Sequence, residues 1–241
     1  IADALNSEYL SSENKLLVSA KLQKWLDKEI NNTLHPLNKK LDENINSEVR
    51  AIAFNCLENF GNYPIEKFKD TLKTISQESK TQLSKLGIRI GAKYFFIPSL
   101  LKKKPLELSA ILWKTFYQNS SDEFLPLPSN GRVSFTSAIK MPDNYWQSIG
   151  YINIKNFLFR IDVFEKVFFI ARQKLKKGPF LESSDLMNPI GCNSNQLKDI
   201  MTFCGYDHII ISDEKKLFFV SNKKKDIKKA VNNKSNKKIN K

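Results

Sequence analysis

Apolar residues fall at helical spacing through the first third of the chain. Val18, Leu22, Trp25, Leu26 and Ile30 recur at i, i+3 and i+4. That period predicts an amphipathic helix over 1–31, in two pieces broken near Ser11-Ser12. Thr33 is placed to cap a following helix, with Pro36 in its first turn and Leu34, Leu37 and Leu41 on one side. The closest match to a 3.6-residue period is Val49, Ile52, Ala53, Cys56, Leu57 and Phe60, with Ser47 as cap and Gly61 as stop. Shorter helices are predicted from Pro64 through Phe68, Leu72 and Ile75, and through Leu83 and Leu86. Short loops between amphipathic helices predict a bundle over 1–86.

The pattern changes at Gly87, which ends a helix by accepting positive φ. Ile88, Ile90, Phe96 and Ile97 then predict a core strand, with Gly91 as a bulge or a close approach. Pro98 ends the strand and Pro105 opens another helix, with Leu108, Ile111, Leu112 and Phe116 on one face. Apolar elements flank this segment on both sides, which makes it the centre on which the others pack.

Pro126, Pro128, Gly131 and Pro142 among Ser and Asn predict a linker, with one short strand from Gly131 to Thr136. From Gly150, alternating apolar residues around Lys155-Asn156 predict a hairpin. Asp162 and Glu165 read as the cap and the box partner of a helix reaching about Lys177, its buried side formed by Val163, Val167, Ile170, Ala171 and Leu175. Ser183 or Ser184 caps a short helix ending near Pro189. Asn193 with Gln196 caps a third, bearing Leu197, Ile200, Met201 and Cys204, and a hairpin follows over 209–220. Helix, short helix, helix, hairpin is the outline of a winged helix. The predicted class is mainly α with small β, an N-terminal helical bundle plus a C-terminal winged-helix-like α+β module. The predicted boundaries are a helical domain with one central strand segment over 1–120, a Pro-rich linker over 121–148, the winged-helix-like module over 149–220 and a disordered Lys-rich tail over 221–241.

Charge sharpens this outline. The 241 residues carry a formal net charge of +14, and the pI is near 9.5. Such a surplus points to nucleic acid or another polyanion. Nine lysines against one aspartate after Val220 supply eight of those charges, and a drift toward Lys, Asn and Ile would give the same bias without a function. No run of about 18 apolar residues occurs, so no membrane partner is expected. The chain opens on Ile in a polar, helix-like stretch, which reads as a fragment whose N-terminus lies upstream. Cys56, Cys192 and Cys204 are too few and scattered for a disulfide framework and fit a reducing cytoplasm.

Catalytic chemistry finds little support. No Gly-x-x-x-x-Gly-Lys-Ser/Thr loop offers a phosphate cradle. Asp122-Glu123 stands among prolines rather than at the end of an apolar strand. Cys192, Cys204 and His208 lack a Cys-x-x-Cys pair and a fourth ligand, so they read as core residues. His35 is far from any nucleophile elbow. Asp162 and Glu165 are explained by the helix start rather than by acid–base work. The densest basic cluster of the body is Lys102-Lys103-Lys104, near Arg89 and Lys93, with Tyr94, Phe95 and Phe96 interleaved. Cations beside aromatics suit a single strand, which offers phosphates and stackable bases. The helix after Asn193 carries only Lys198 beside Asp199, which is poor equipment for major-groove readout. Arg89, Lys93, Lys102, Lys103, Lys104, Arg160 and Lys198 are therefore the candidate nucleic-acid contacts.

Several blocks also carry a resemblance. They are Val49-Arg-Ala-Ile-Ala-Phe, Leu86-Gly-Ile-Arg-Ile-Gly, Phe96-Ile-Pro-Ser-Leu-Leu-Lys, Ile111-Leu-Trp, Gly150-Tyr151, Phe159-Arg-Ile-Asp-Val-Phe-Glu, Met187 with Gly191-Cys192, and Phe203-Cys-Gly-Tyr. In order and spacing they resemble the region downstream of the motor in bacterial relatives of the mitochondrial degradosome RNA helicases, the Suv-three-like family. Two extra lysines between Lys102 and Pro105 depart from that pattern. The resemblance covers about 16–210. It implies the C-terminal accessory half of a superfamily-two, ATP-dependent helicase, an enzyme by virtue of its parent and not of this fragment. RecA-like motor domains upstream of Ile1 would bind ATP and magnesium, and the fragment itself would hold no cofactor. Its partners would be single-stranded RNA or DNA, its own motor domains and an exoribonuclease of RNA degradation. The rival expectations are a scaffold docking a nuclease or motor domain, and a stand-alone winged-helix DNA-binding protein.

Overall fold

The computed structural model describes residues 11–38, 41, 44–117, 125–129, 131–211 and 215–220. The helix expected over 1–10, Asp122-Glu123 and the tail over 221–241 lie outside the described residues. What is described is mainly α with small β.

The first helix, α1 (Ser12–Thr33), starts where Ser11 accepts the Asn14 N–H. Thr33 is its last residue rather than a cap, and a turn over 34–38 replaces the expected second helix. Leu34 is buried and Leu37 and Leu41 pack beside it. The stripe of α1 meets the body only at its edge. Val18, Leu26 and Ile30 are half-buried, whereas Trp25 is 61% exposed. Val49, Ile52, Ala53 and Cys56 of α2 (Ser47–Glu58) are buried as their spacing requires. A strand that the sequence pattern missed follows as β1 (Asn62–Pro64), then a 3-10 turn over Ile65–Phe68, α3 (Lys69–Thr74) and α4 (Gln77–Lys85).

The central segment is two strands, β2 (Arg89–Ile90) and β3 (Tyr94–Phe96), in an antiparallel sheet of order β1-β3-β2. Strand side chains alternate between faces. Here the alternation divides two cores. Phe95 and Ile97 join the cluster of α2, α4 and β1, whereas Tyr94 and Phe96 join the cluster built on residues 152–218. Ile90 departs from expectation. It sits at the rim, 36% exposed.

After a 3-10 turn over Pro98–Leu101 comes α5 (Lys103–Tyr117). Its buried face is Leu106, Ser109, Ala110 and Trp113. The predicted face is rotated away from this: Leu108 and Leu112 are half-buried, and Phe116 is 80% exposed. The described part of 121–148 is not a linker. It carries β4 (Ser134–Thr136) and α6 (Asp143–Ser148), whose Tyr145 and Trp146 are among the largest fully buried side chains. The Tyr145 hydroxyl donates to the Pro126 carbonyl at 3.0 Å, and the Asn62 amide donates to the Gln147 carbonyl at 2.7 Å. Pro and Ser content hid this packing, which Tyr145, Trp146 and Ile149 anchor.

Next come β5 (Tyr151–Ile154) and β6 (Phe157–Arg160), joined at Lys155-Asn156, both at positive φ as a two-residue hairpin turn requires. With β4 they form a sheet of order β4-β6-β5. Alternation divides cores here too: Phe157 and Phe159 face one cluster, and Leu158 faces that of Trp113, Tyr145 and Trp146. Gly150 precedes this hairpin at φ +74, where a Cβ would lie 2.2 Å from Leu101 Cδ2.

The span expected to form a winged-helix-like module carries α7 (Ile161–Lys176), β7 (Phe180–Leu181), α8 (Ser184–Met187), α9 (Ser194–Phe203), β8 (Asp207–Ile210) and β9 (Lys216–Phe219), with sheet order β7-β9-β8. The capping box of Asn193 and Gln196 forms as predicted. Lys216, though buried, donates to Ser194 Oγ, and Ser194 donates to Glu182 Oε2 at 2.5 Å, tying β9 to α9 and to the strand end at Glu182.

The expected capping box at Asp162 and Glu165 does not form, because Arg160 precedes α7 without a side-chain cap bond. Asp162 pairs instead with Arg160. Glu165, 6% exposed, reaches across to the β2–β3 turn. Its Oε1 accepts the N–H groups of Lys93 at 2.9 Å and Tyr94 at 2.8 Å, and its Oε2 accepts that of Ala92. Burial pushes this carboxyl above its ordinary value, while the three N–H donors and Arg172 pull the other way. Gly91 makes the approach possible, since a Cβ there would lie 2.4 Å from the Glu165 carboxyl carbon. Glu165→Gln faces an N–H donor with an NH₂ group and lowers unfolding free energy by about 1–3 kcal/mol. Glu165→Ala orphans all three donors and costs about 3–5 kcal/mol. Urea midpoints check both, and a Gln variant as stable as the parent removes the clamp from this account.

Candidate nucleic-acid interface

Two open clefts lie on either side of the start of α7. The first, of about 320 Å³, is lined by Lys102, Lys103, Arg132 and Arg160, with Glu107 and Asp162 as its carboxylates. The 3-10 turn ending at Leu101 delivers the lysines. The loop before β4 delivers Arg132, whose carbonyl accepts the Tyr151 hydroxyl at 2.5 Å. The second cleft, of about 350 Å³, runs between β2 and α7 and is lined by Arg89, Lys166 and Arg172, with Phe169 between the last two. Asp162 lines both clefts, so they adjoin.

Electrostatics in both clefts follow from what the carboxylates are already doing. Asp162 holds Arg160 in a two-point pair, Nε to Oδ1 at 2.7 Å and an Nη to Oδ2 at 3.0 Å, and this pairing raises the guanidinium above its ordinary value. Glu107 comes within 4.0 Å of Lys103. Glu165 is engaged with backbone N–H groups. Among the described residues, Lys102, Arg132, Arg89, Lys166 and Arg172 have no salt-bridge partner, and all five are exposed.

The predicted contacts divide accordingly. Lys102, Lys103 and Arg160 come together in the first cleft, and Arg89 belongs to the second. Lys104 is exposed in a neighbouring hollow against the end of α1, with Glu29 and Thr33. Arg160 lies in the first cleft already paired with Asp162. Lys93 is half-buried, its Nζ 5.7 Å from the centre of the Phe168 ring. Lys198 lines neither cleft. The α9 helix that carries it packs on β5, and its neighbour Asp199 pairs with Lys155 at 2.8 Å. A major-groove role for α9 would have to displace that contact. Tyr94, Phe95 and Phe96 are not a stacking platform, because Phe95 and Phe96 are buried and Tyr94 meets Phe164 edge to face.

Arg132, Lys166, Phe169 and Arg172 were missed. The last three had a signal: with Asp162 they recur at i, i+4, i+7 and i+10, the solvent side of the predicted helix. Arg132 had none beyond its identity.

Among the described residues no group of three His, Cys, Asp or Glu could hold a metal ion, and no helix is long and apolar enough to cross a membrane. No family model, no curated protein and no solved structure matches this chain. The three cysteines are buried. Desolvation pushes the Cys56 thiol up to about 12 and the Cys192 thiol up to about 11, and it raises Cys204 further. All three should therefore be silent toward a disulfide reagent at mildly alkaline pH in the folded protein and react fully in urea. Rapid reaction of any one without denaturant would contradict the burial described.

Proposed function

We propose that this chain is an accessory nucleic-acid-binding module, without catalysis of its own, that guides single-stranded RNA or DNA for an ATP-dependent helicase motor. The observation that carries the binding is the pair of adjoining clefts, whose cations outnumber carboxylates that are already engaged. The helicase assignment rests on the ordered sequence blocks alone. In that setting the motor domains hold ATP and magnesium, and this module contributes a basic track beside the strand they move. The packing of α9 on β5 favours this over a stand-alone winged helix that reads duplex DNA.

Filter binding of a single-stranded oligonucleotide across a salt series tests the proposal. Changing Lys102, Lys103 and Lys104 to Ala removes up to three phosphate contacts and flattens the log–log salt slope by about 2. Adding Arg132→Ala flattens it by about 0.7 more, while Lys198→Ala leaves it unchanged. A parent protein with no salt-dependent binding would refute the module.

A second reading has one observation in its favour. Leu16, Leu17 and Trp25 of α1 and Phe116 of α5 are large apolar side chains left in solvent, as on a surface that docks another protein. A shallow slope that ignores the lysine changes would favour that scaffold role, with a nuclease or the motor as partner.

A further inference from the structure

We infer that the cleft between β2 and α7 is a stacking subsite for one unpaired base of a single-stranded nucleic acid, with Phe169 as its platform. Phe169 takes that role only if the chain binds single strands as proposed above.

One side chain of α7 is not accounted for by packing. Phe164 and Phe168 of α7 are buried, but Phe169 is 57% exposed, and among the described residues it has no ring partner. It stands on the polar side of the helix, one turn after Lys166 and one turn before Arg172, both exposed. Arg89, on β2, faces it across the cleft. A ring with a cation one turn away on each side, and a third opposite, offers a flat apolar surface inside a positive field. A nucleotide has the matching parts, a base to stack and a phosphate to pair.

Charge selects the occupant. The acids that line this cleft are engaged: Asp162 pairs with Arg160, and Glu165 receives the backbone N–H groups of the β2–β3 turn. Arg172 is near enough to bias the Glu165 carboxyl without pairing with it. An acidic or purely apolar peptide would meet only one of the two features. Duplex ends aside, a paired base keeps both faces stacked on its neighbours, so the platform distinguishes single strands from duplex. The volume of about 350 Å³ is at the small end of ligand clefts and suits one nucleotide rather than a folded motif. The two walls are also joined, because the β2–β3 turn is bonded to the same helix that carries the ring.

The test is fluorescence anisotropy of the full chain with a short labelled oligouridylate and with a duplex of equal length, each across a salt series. Phe169→Ala should weaken single-strand binding roughly tenfold at every salt concentration, since one stacked base is lost and no charge changes. Its salt slope should match the parent's. Phe169→Trp should bind at least as tightly, and Arg172→Ala should flatten the slope by about 0.7. Because Phe169 is exposed, unchanged melting temperatures should accompany these losses. If Phe169→Ala binds like the parent while the triple-lysine variant is weakened, the subsite is wrong and the module stands. Equal losses on single strand and duplex would also overturn stacking. If the parent binds neither probe, both proposals fall.

Discussion

One strand serves two cores, and its turn is bonded to a helix from the other half of the chain. Tyr94 and Phe96 of β3 face one cluster while Phe95 and Ile97 face another. Burying a Phe side chain contributes about 2–3 kcal/mol. A one-residue slip in β3 would send each ring into the wrong core, so register here is strongly specified. The Glu165 clamp enforces the same register from outside, since its two oxygens match three successive N–H groups. A carboxylate placed there has nowhere else to go. Gly91 leaves the opening.

The clefts are consequences of that clamp. Fixing the β2–β3 turn on α7 puts Arg89 across from Phe169. The start of α7 then carries Asp162 between this cleft and the one beneath the Lys102–Lys103 turn. The second two-faced strand, β6, does the equivalent work on the other side. Phe159 and Leu158 point into different clusters, which binds α6 and α5 to the hairpin and brings Arg132 to Arg160. A separate N-terminal bundle and C-terminal module, joined by a loose connection, would have produced neither cleft. The surfaces exist because the cores interlock.

The sequence pattern revealed what depends on local period and missed what depends on partners. The helix of Val49, Ile52 and Cys56, the hairpin at Lys155-Asn156 and the Asn193–Gln196 box were all legible, because each is written in spacing or cap chemistry. The close approach at Gly91 was legible too, but not what approaches. Asp162 and Glu165 satisfied the local criteria for a capping box, yet Asp162 pairs with its near neighbour Arg160 and Glu165 is claimed by a distant partner, the turn at 92–94. The segment around Tyr145 and Trp146 looked like a linker because of its Pro, Ser and Asn residues, whereas these two aromatics are buried. Basic residues were easy to find by identity. Which of them remain unpaired, and which share a cleft, is set by the fold.

That difference bears on what the high net charge means. More than half of the +14 comes from beyond Val220, outside the described residues. A bulk pI near 9.5 is therefore weak grounds for a binding function. Arrangement is stronger evidence than total. In the two adjoining clefts the carboxylates have partners of their own, and Lys102, Arg132, Arg89, Lys166 and Arg172 have no salt bridge among the described residues. A polyanion gains most where desolvating its phosphates is matched by cations that have no other partner to lose. A charge bias spread by compositional drift would scatter Lys evenly. It would not place Arg132, Arg89 and Arg172, three of the few arginines in a lysine-rich chain, on the walls of neighbouring clefts. Guanidinium groups suit phosphate and stacked bases better than ammonium groups do, and the clefts are where these arginines lie.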